Sequence, residues 1–162
     1  MDFAKLFVMQ KELDKKIQEQ HALLSENLIE KKILALYVEI GELANETRCF
    51  KFWSTKPASD RETILEEFVD GVHFLLSIGL ELGWEGELEL KGENASESAT
   101  VQFLAVFESV SDFRKKQSKD TYLAVFREYL YLGELLGFSS EEVERAYVKK
   151  NEINHERQEQ GY

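Results

Sequence analysis

Proline is nearly absent: Pro57 is the only one in 162 residues. Proline removes a backbone donor and costs about 3 kcal/mol inside a helix, so little here interrupts helical stretches. Cysteine is equally scarce. Cys49 stands alone, which excludes an internal disulfide and any zinc site built from several thiolates. It fits a reducing, cytoplasmic setting. Positive charge is in deficit, 20 basic against 31 acidic side chains, for a net charge of −11. Nucleic acids and anionic membranes are bound through basic faces, so neither is an expected partner. Long hydrophobic runs are missing too. The most apolar stretch, Val69–Leu82, is interrupted by Asp70, His73 and Glu81, and a membrane span needs about 20 apolar residues. The N-terminal stretch MDFAKLFVMQKELDKK carries charges throughout, unlike a secretory signal.

What is present is helical periodicity. The length suits one domain, residues 1–162, with a full core. The pattern predicts an all-α, single-domain bundle of about six helices. The first spans about Asp2–Gln20, with Phe3, Leu6, Phe7, Gln10, Leu13 and Ile17 on one face. The second starts at Ser25 as N-cap and runs to about Thr47. The third, capped by Ser59 or Asp60, runs to about Leu82, where Gly83 ends it. A long loop follows over Trp84–Ser96, with a short strand at Glu87–Leu90. Helices over about Ser98–Lys116 and Lys119–Leu136 come next. The sixth, capped by Ser139 or Ser140, ends near Asn154, leaving His155–Tyr162 as a polar tail.

Two motifs carry the chemistry. The second helix holds Glu39-Ile-Gly-Glu42 and the third holds Glu67-Phe-Val-Asp70. Residues three apart lie about 60° apart on one helix face, so two such helices packed antiparallel aim four carboxylates at one point. Their neighbours are apolar: Ile40 and Leu43 on one helix, Phe68, Val69, Val72 and Leu75 on the other. Acids in such surroundings lose hydration and repel one another. A hard divalent cation compensates both, and magnesium with its waters and substrate phosphates fits the all-oxygen set. Phosphate-ester or phosphoanhydride hydrolysis is the chemistry this suggests. A solvated acidic face is the bland alternative, and Asp70-Gly-Val-His73 leaves a di-iron reading open.

These residues also resemble a family. The string Glu39-Ile-Gly-Glu42-Leu-Ala-Asn-Glu46-Thr-Arg-Cys-Phe-Lys51-Phe-Trp53, followed by Glu66-Glu67-Phe-Val-Asp70-Gly-Val-His73-Phe74, is similar to the dimeric, all-α dUTPases. Those belong with MazG-type enzymes to the all-α nucleoside triphosphate pyrophosphohydrolases. The C-terminal Lys149-Lys150-Asn151-Glu-Ile-Asn154-His155-Glu-Arg157-Gln158-Glu-Gln-Gly161-Tyr162 resembles a third block. The resemblance implies hydrolysis of dUTP, and of dUDP, to dUMP, with pyrophosphate released from dUTP. It implies Mg2+, with Mn2+ as a substitute, on Glu39, Glu42, Glu67 and Asp70. Glu42 would activate the attacking water. Lys150, Asn154 and Arg157 match the phosphate- and sugar-contacting block, and Gln10 a glutamine near the base. Asp14 stands where relatives often carry Asn. Trp53, His73 and Phe74 would enclose uracil and deoxyribose.

Two rivals remain at this level. One is a pyrophosphohydrolase for another nucleotide such as dCTP; the other is a non-enzymatic acidic helical interaction module. The resemblance also implies a homodimer. The fourth and fifth helices carry Phe103, Val106, Phe107, Val110, Phe113, Tyr122, Phe126, Tyr129, Leu130 and Leu132. That is more than one buried face needs, so the surplus is the expected interface.

Overall fold

The computed structural model describes residues 1–90 and 96–161. Among the described residues six helices occur in order: α1 (Phe3–Gln20), α2 (Ile29–Thr47), α3 (Arg61–Glu81), α4 (Ala99–Lys115), α5 (Lys119–Leu135) and α6 (Ser140–Glu159). The all-α expectation holds, and among the described residues there is no strand. The short strand expected at Glu87–Leu90 does not form; Leu88 and Leu90 instead lie against the core. The remainder of that loop, residues 91–95, and the terminal Tyr162 lie outside the described residues. No described helix is long and apolar enough to cross a membrane.

The caps follow the local chemistry. Asp60 accepts from the Thr63 backbone N–H, while Ser98, Ser118 and Ser139 accept from Val101, Thr121 and Glu142. Gly83 takes a positive φ after α3, and the Trp84 N–H reaches back to the Gly79 carbonyl at 2.8 Å, satisfying an orphan acceptor. Two boundaries differ from expectation. Helix α2 begins at Ile29, not Ser25. Ser25 caps nothing there, and the Asn27 carboxamide accepts the Ile29 N–H. Helix α6 continues through the expected tail to Glu159. Lys16 of α1 explains this, donating to the His155 carbonyl and pairing with Glu159 at 2.9 Å.

Helix α3 is the axis of the fold, packing against α1, α2, α5 and α6. It is buried nearly all round, with Phe68, Val69, Val72, Leu75, Leu76 and Ile78 each at most 1% exposed. Two tyrosines of α5 close over its glycines: Tyr129 covers Gly71 and donates to the Phe68 carbonyl, and Tyr122 covers Gly79 and donates to the Leu75 carbonyl. A Cβ at either glycine would collide with the phenol, so these two positions set how near α5 approaches.

Helices α2 and α3 run antiparallel. Lys32 near the start of α2 pairs with Glu81 at the end of α3 at 2.7 Å, and Glu46 near the end of α2 accepts from Ser59 just before α3. Most of the apolar surplus on α4 and α5 is internal: Val106, Val110, Phe126, Tyr129 and Leu132 are fully buried. Only Phe107 and Leu130 of that group are partly exposed. The exposed large apolar side chains are other residues, on α1 (Val8), just after it (Leu24), on α2 (Leu34, Val38), on α4 (Val101, Leu104) and in the 48–59 loop (Phe50, Phe52, Trp53).

Candidate functional site

The antiparallel pairing brings the middle of α2 beside the first half of α3. Glu39, Glu67 and Asp70 meet there, each offering a carboxylate oxygen within 4.8 Å of the others. Their apolar flanks, Ile40, Phe68 and Val69, are the core itself, so the acids sit at its rim, half-buried. Burial raises the Glu39 carboxyl to about 7, helped by the charges of Asp70, Glu42 and Glu67. Glu67 is raised for the same reasons, and Asp70 is raised by burial against the lowering effect of Lys150. Carboxylates pushed upward together in one place lack countercharge. A three-oxygen set of this kind fits a hard divalent cation.

Glu42 is exposed and is not one of the three converging groups, although its charge reaches Glu39 and Glu67. Lys150 of α6 lies directly against the cluster, donating to Asp70 Oδ2 at 2.9 Å and to Glu66 Oε1 at 2.7 Å. Burial would lower its ammonium, but the hydrogen bonds to Asp70 and Glu66 outweigh that and hold it above the usual range. Arg157, seven residues further along α6, is near enough to lower both Glu66 and Asp70. Asn154 lies between them on that helix, half-buried. A cleft of about 300 Å³ runs between α3 and α6, lined by Glu66, Val69, Lys149, Lys150 and Ile153 among others.

The residues expected near a base divide into two groups. Gln10 and His73 are together and buried: the His73 Nδ1 is 2.7 Å from Gln10 Oε1, and the ring stacks on Tyr147 at 4.1 Å. Burial, with the Lys150 charge, lowers the His73 imidazole to about 3. Phe74, beside it in sequence, is half-buried against the core. Trp53 is 64% exposed, and its ring partners are Phe50 and Phe52 rather than His73 or Phe74.

Sequence reasoning missed a second charged cluster between the same helices. Lys32 is 9% exposed and reaches Glu81 at 2.7 Å, Asp14 at 3.6 Å and the Ser77 carbonyl at 3.4 Å. The signal was available: Lys32 lies seven residues before Glu39, hence on the same face of α2. Glu66, outside the i,i+3 pair, shares Lys150 with Asp70.

A family model described as dUTPase matches residues 2–162. No curated protein matches the sequence significantly.

Proposed function

The chain belongs to the dUTPase family, whose reaction is hydrolysis of dUTP to dUMP, and on that premise we propose that it acts with magnesium at the α2–α3 carboxylates. The observation that carries this reading is the convergence of Glu39, Glu67 and Asp70, with all three carboxyls raised. These three, with Glu42 at the edge, hold the metal, for which manganese is a substitute. When bound there it supplies Lewis-acid stabilisation of phosphate oxygens and lowers the pKa of a water.

The chain's own residues do the rest. Lys150 and Arg157 set positive charge beside the acids and bind the phosphates, with Asn154 on the same face of α6 reaching sugar or phosphate. Glu42, exposed at the rim, takes the proton of the attacking water. Gln10, His73, Phe74 and the Trp53 loop enclose the base and deoxyribose. Products are dUMP and pyrophosphate, and dUDP is a second substrate. The whole of residues 1–162 acts as one domain, of the wider pyrophosphohydrolase superfamily that includes MazG-type enzymes, in a cytoplasmic setting and without nucleic acid. A homodimer is supported by the apolar side chains left open on α2 and α4: Leu34, Val38, Val101 and Leu104 are each between 48% and 65% exposed.

The test is a panel of nucleoside triphosphates assayed with and without magnesium. Rapid pyrophosphate release from dUTP that stops on chelation is expected. Equal rates for dUTP, dTTP and dCTP would overturn the uracil assignment, and full activity under chelation would overturn the metal assignment.

A further inference from the structure

Asp14, on α1, sits at the centre of a buried polar chain that the reading above leaves without a role. Its Oδ1 accepts from Gln10 Nε2 at 2.8 Å and its Oδ2 from Ser77 Oγ at 2.6 Å, and Lys32 supplies countercharge at 3.6 Å. An ionised carboxylate only accepts. Gln10 must therefore turn its NH2 toward Asp14, and its amide oxygen must face the other way. That oxygen meets His73 Nδ1 and Tyr147 Oη, both at 2.7 Å. Both must donate. The opposite nitrogen of the ring, His73 Nε2, is buried and has no hydrogen-bond partner among the described residues. A second proton there would leave a charged ring and an N–H without acceptor in the core, so the ring is neutral.

We infer that Asp14 is a positioning residue that, acting through Gln10, holds His73 as the Nδ1–H tautomer and so presents Nε2 as a bare acceptor for an N–H of the substrate base. This rests on the dUTP reading of the site. The imide N3–H of uracil is such a donor. Cytosine carries a lone pair at that ring position and would meet Nε2 acceptor to acceptor. Thymine has the same imide as uracil, so the device separates dUTP from dCTP and not from dTTP. His73 is 6% exposed, so the base reaches Nε2 only when neighbouring side chains part. No hydrogen bond between Nε2 and a described residue is lost in that exchange.

The experiment combines nitrogen NMR of the full chain labelled at histidine with hydrolysis rates for dUTP and dCTP. The His73 signals are assigned by their loss in His73→Gln. In the wild type at neutral pH, a protonated Nδ1 and an unprotonated Nε2 are expected. Asp14→Asn offers a donor as well as an acceptor, so Gln10 is free to turn. The tautomers should then mix, and the kcat/KM ratio of dUTP over dCTP should fall about tenfold, chiefly through KM. Ser77→Ala leaves Asp14 acceptor-only and should leave the tautomer unchanged.

A protonated Nε2 in the wild type overturns the inference, as does an Asp14→Asn variant with unchanged tautomer or unchanged ratio. Where Asp14→Asn fails to fold, the wild type with magnesium and a non-hydrolysable dUTP analogue decides. The Nε2 signal must shift as a hydrogen bond forms, and a static signal overturns the role. A wrong tautomer in an enzyme that prefers dUTP sinks this inference alone. The expected tautomer in an enzyme indifferent between dUTP and dCTP sinks the base-reading role and the uracil assignment together.

Discussion

Helices α2 and α3 enclose two charged clusters about two helical turns apart, and the two are built differently. Toward the start of α2, Lys32 stands between Asp14 and Glu81, with Ser77 and Gln10 supplying further donors to Asp14. Toward its middle, Glu39, Glu67 and Asp70 converge with Lys150 bonded to Asp70, and that lysine is shared with Glu66. The first cluster is internally paired and needs no added cation. The second has more negative charge than its protein partners offset, which is why burial and mutual repulsion push its carboxyls up. Charge balance, more than burial, separates a structural ion network from a site that takes a cation.

The largest expected effect tests the second cluster. Asp70→Asn should lower dUTP turnover about 10²–10³-fold, the scale of losing one electrostatic stabiliser, while circular dichroism shows the fold unchanged. A variant with near-normal turnover would erase the distinction between the clusters. The first cluster should answer the opposite way. Lys32→Met leaves Asp14 and Glu81 without their cation and should destabilise the protein by about 3 kcal/mol in urea unfolding; a loss below measurement would mean the cluster is not held by its charge pairing.

Ligand linkage sharpens the contrast. Magnesium with a non-hydrolysable dUTP analogue, at about a hundred times its Kd, should stabilise the wild type by about 2.7 kcal/mol. The increment should persist in Lys32→Met and vanish in Asp70→Asn, and thermal melts of the three proteins would show whether it does.

The smallest effect is one of pH. Glu39 has a folded pKa of about 7 against 4.5 in the unfolded chain. Between those values the folded state binds the extra proton, so this group costs stability above pH 7 and the cost fades as pH falls toward 4.5. In metal-free protein Glu39→Gln should therefore be more stable than wild type at alkaline pH, by about 1–2 kcal/mol after solvent screening. The advantage should disappear near pH 4.5. Buried neutral His73, whose pKa is lowered, works in the opposite sense in both proteins, losing stability as pH falls below its unfolded value, so the difference between them isolates Glu39. A constant gap across the range would contradict the repulsion argument.

The ExxE and ExxD spacings were legible because they are local: on a helix, three residues apart means one face, whatever the rest of the chain does. Capping was legible for the same reason at Asp60 and Ser139. The start of α2 was misjudged because Ser25 has the right chemistry in a segment that turns instead, with Ala22 at positive φ. The end of α6 was placed too early because its last turns are polar by composition and are held by Lys16 from the other end of the chain. The apolar surplus of α4 and α5 pointed to an interface, but most of it is buried where these two helices pack on each other and on the core, with Tyr129 and Tyr122 closing over Gly71 and Gly79 of α3.

By itself, the sequence determined an all-helical chain, the helix faces and the two pairs of acids, since each follows from periodicity along one segment. Only the tertiary structure decided which acids converge, leaving Glu42 at the rim, and that Lys150 answers Asp70 from eighty residues away. It alone joined Asp14, Gln10 and His73 into one hydrogen-bonded line. Those outcomes depend on distances between helices, and the electrostatic energy of a charge is set by neighbours in space, to which spacing along the chain gives no access.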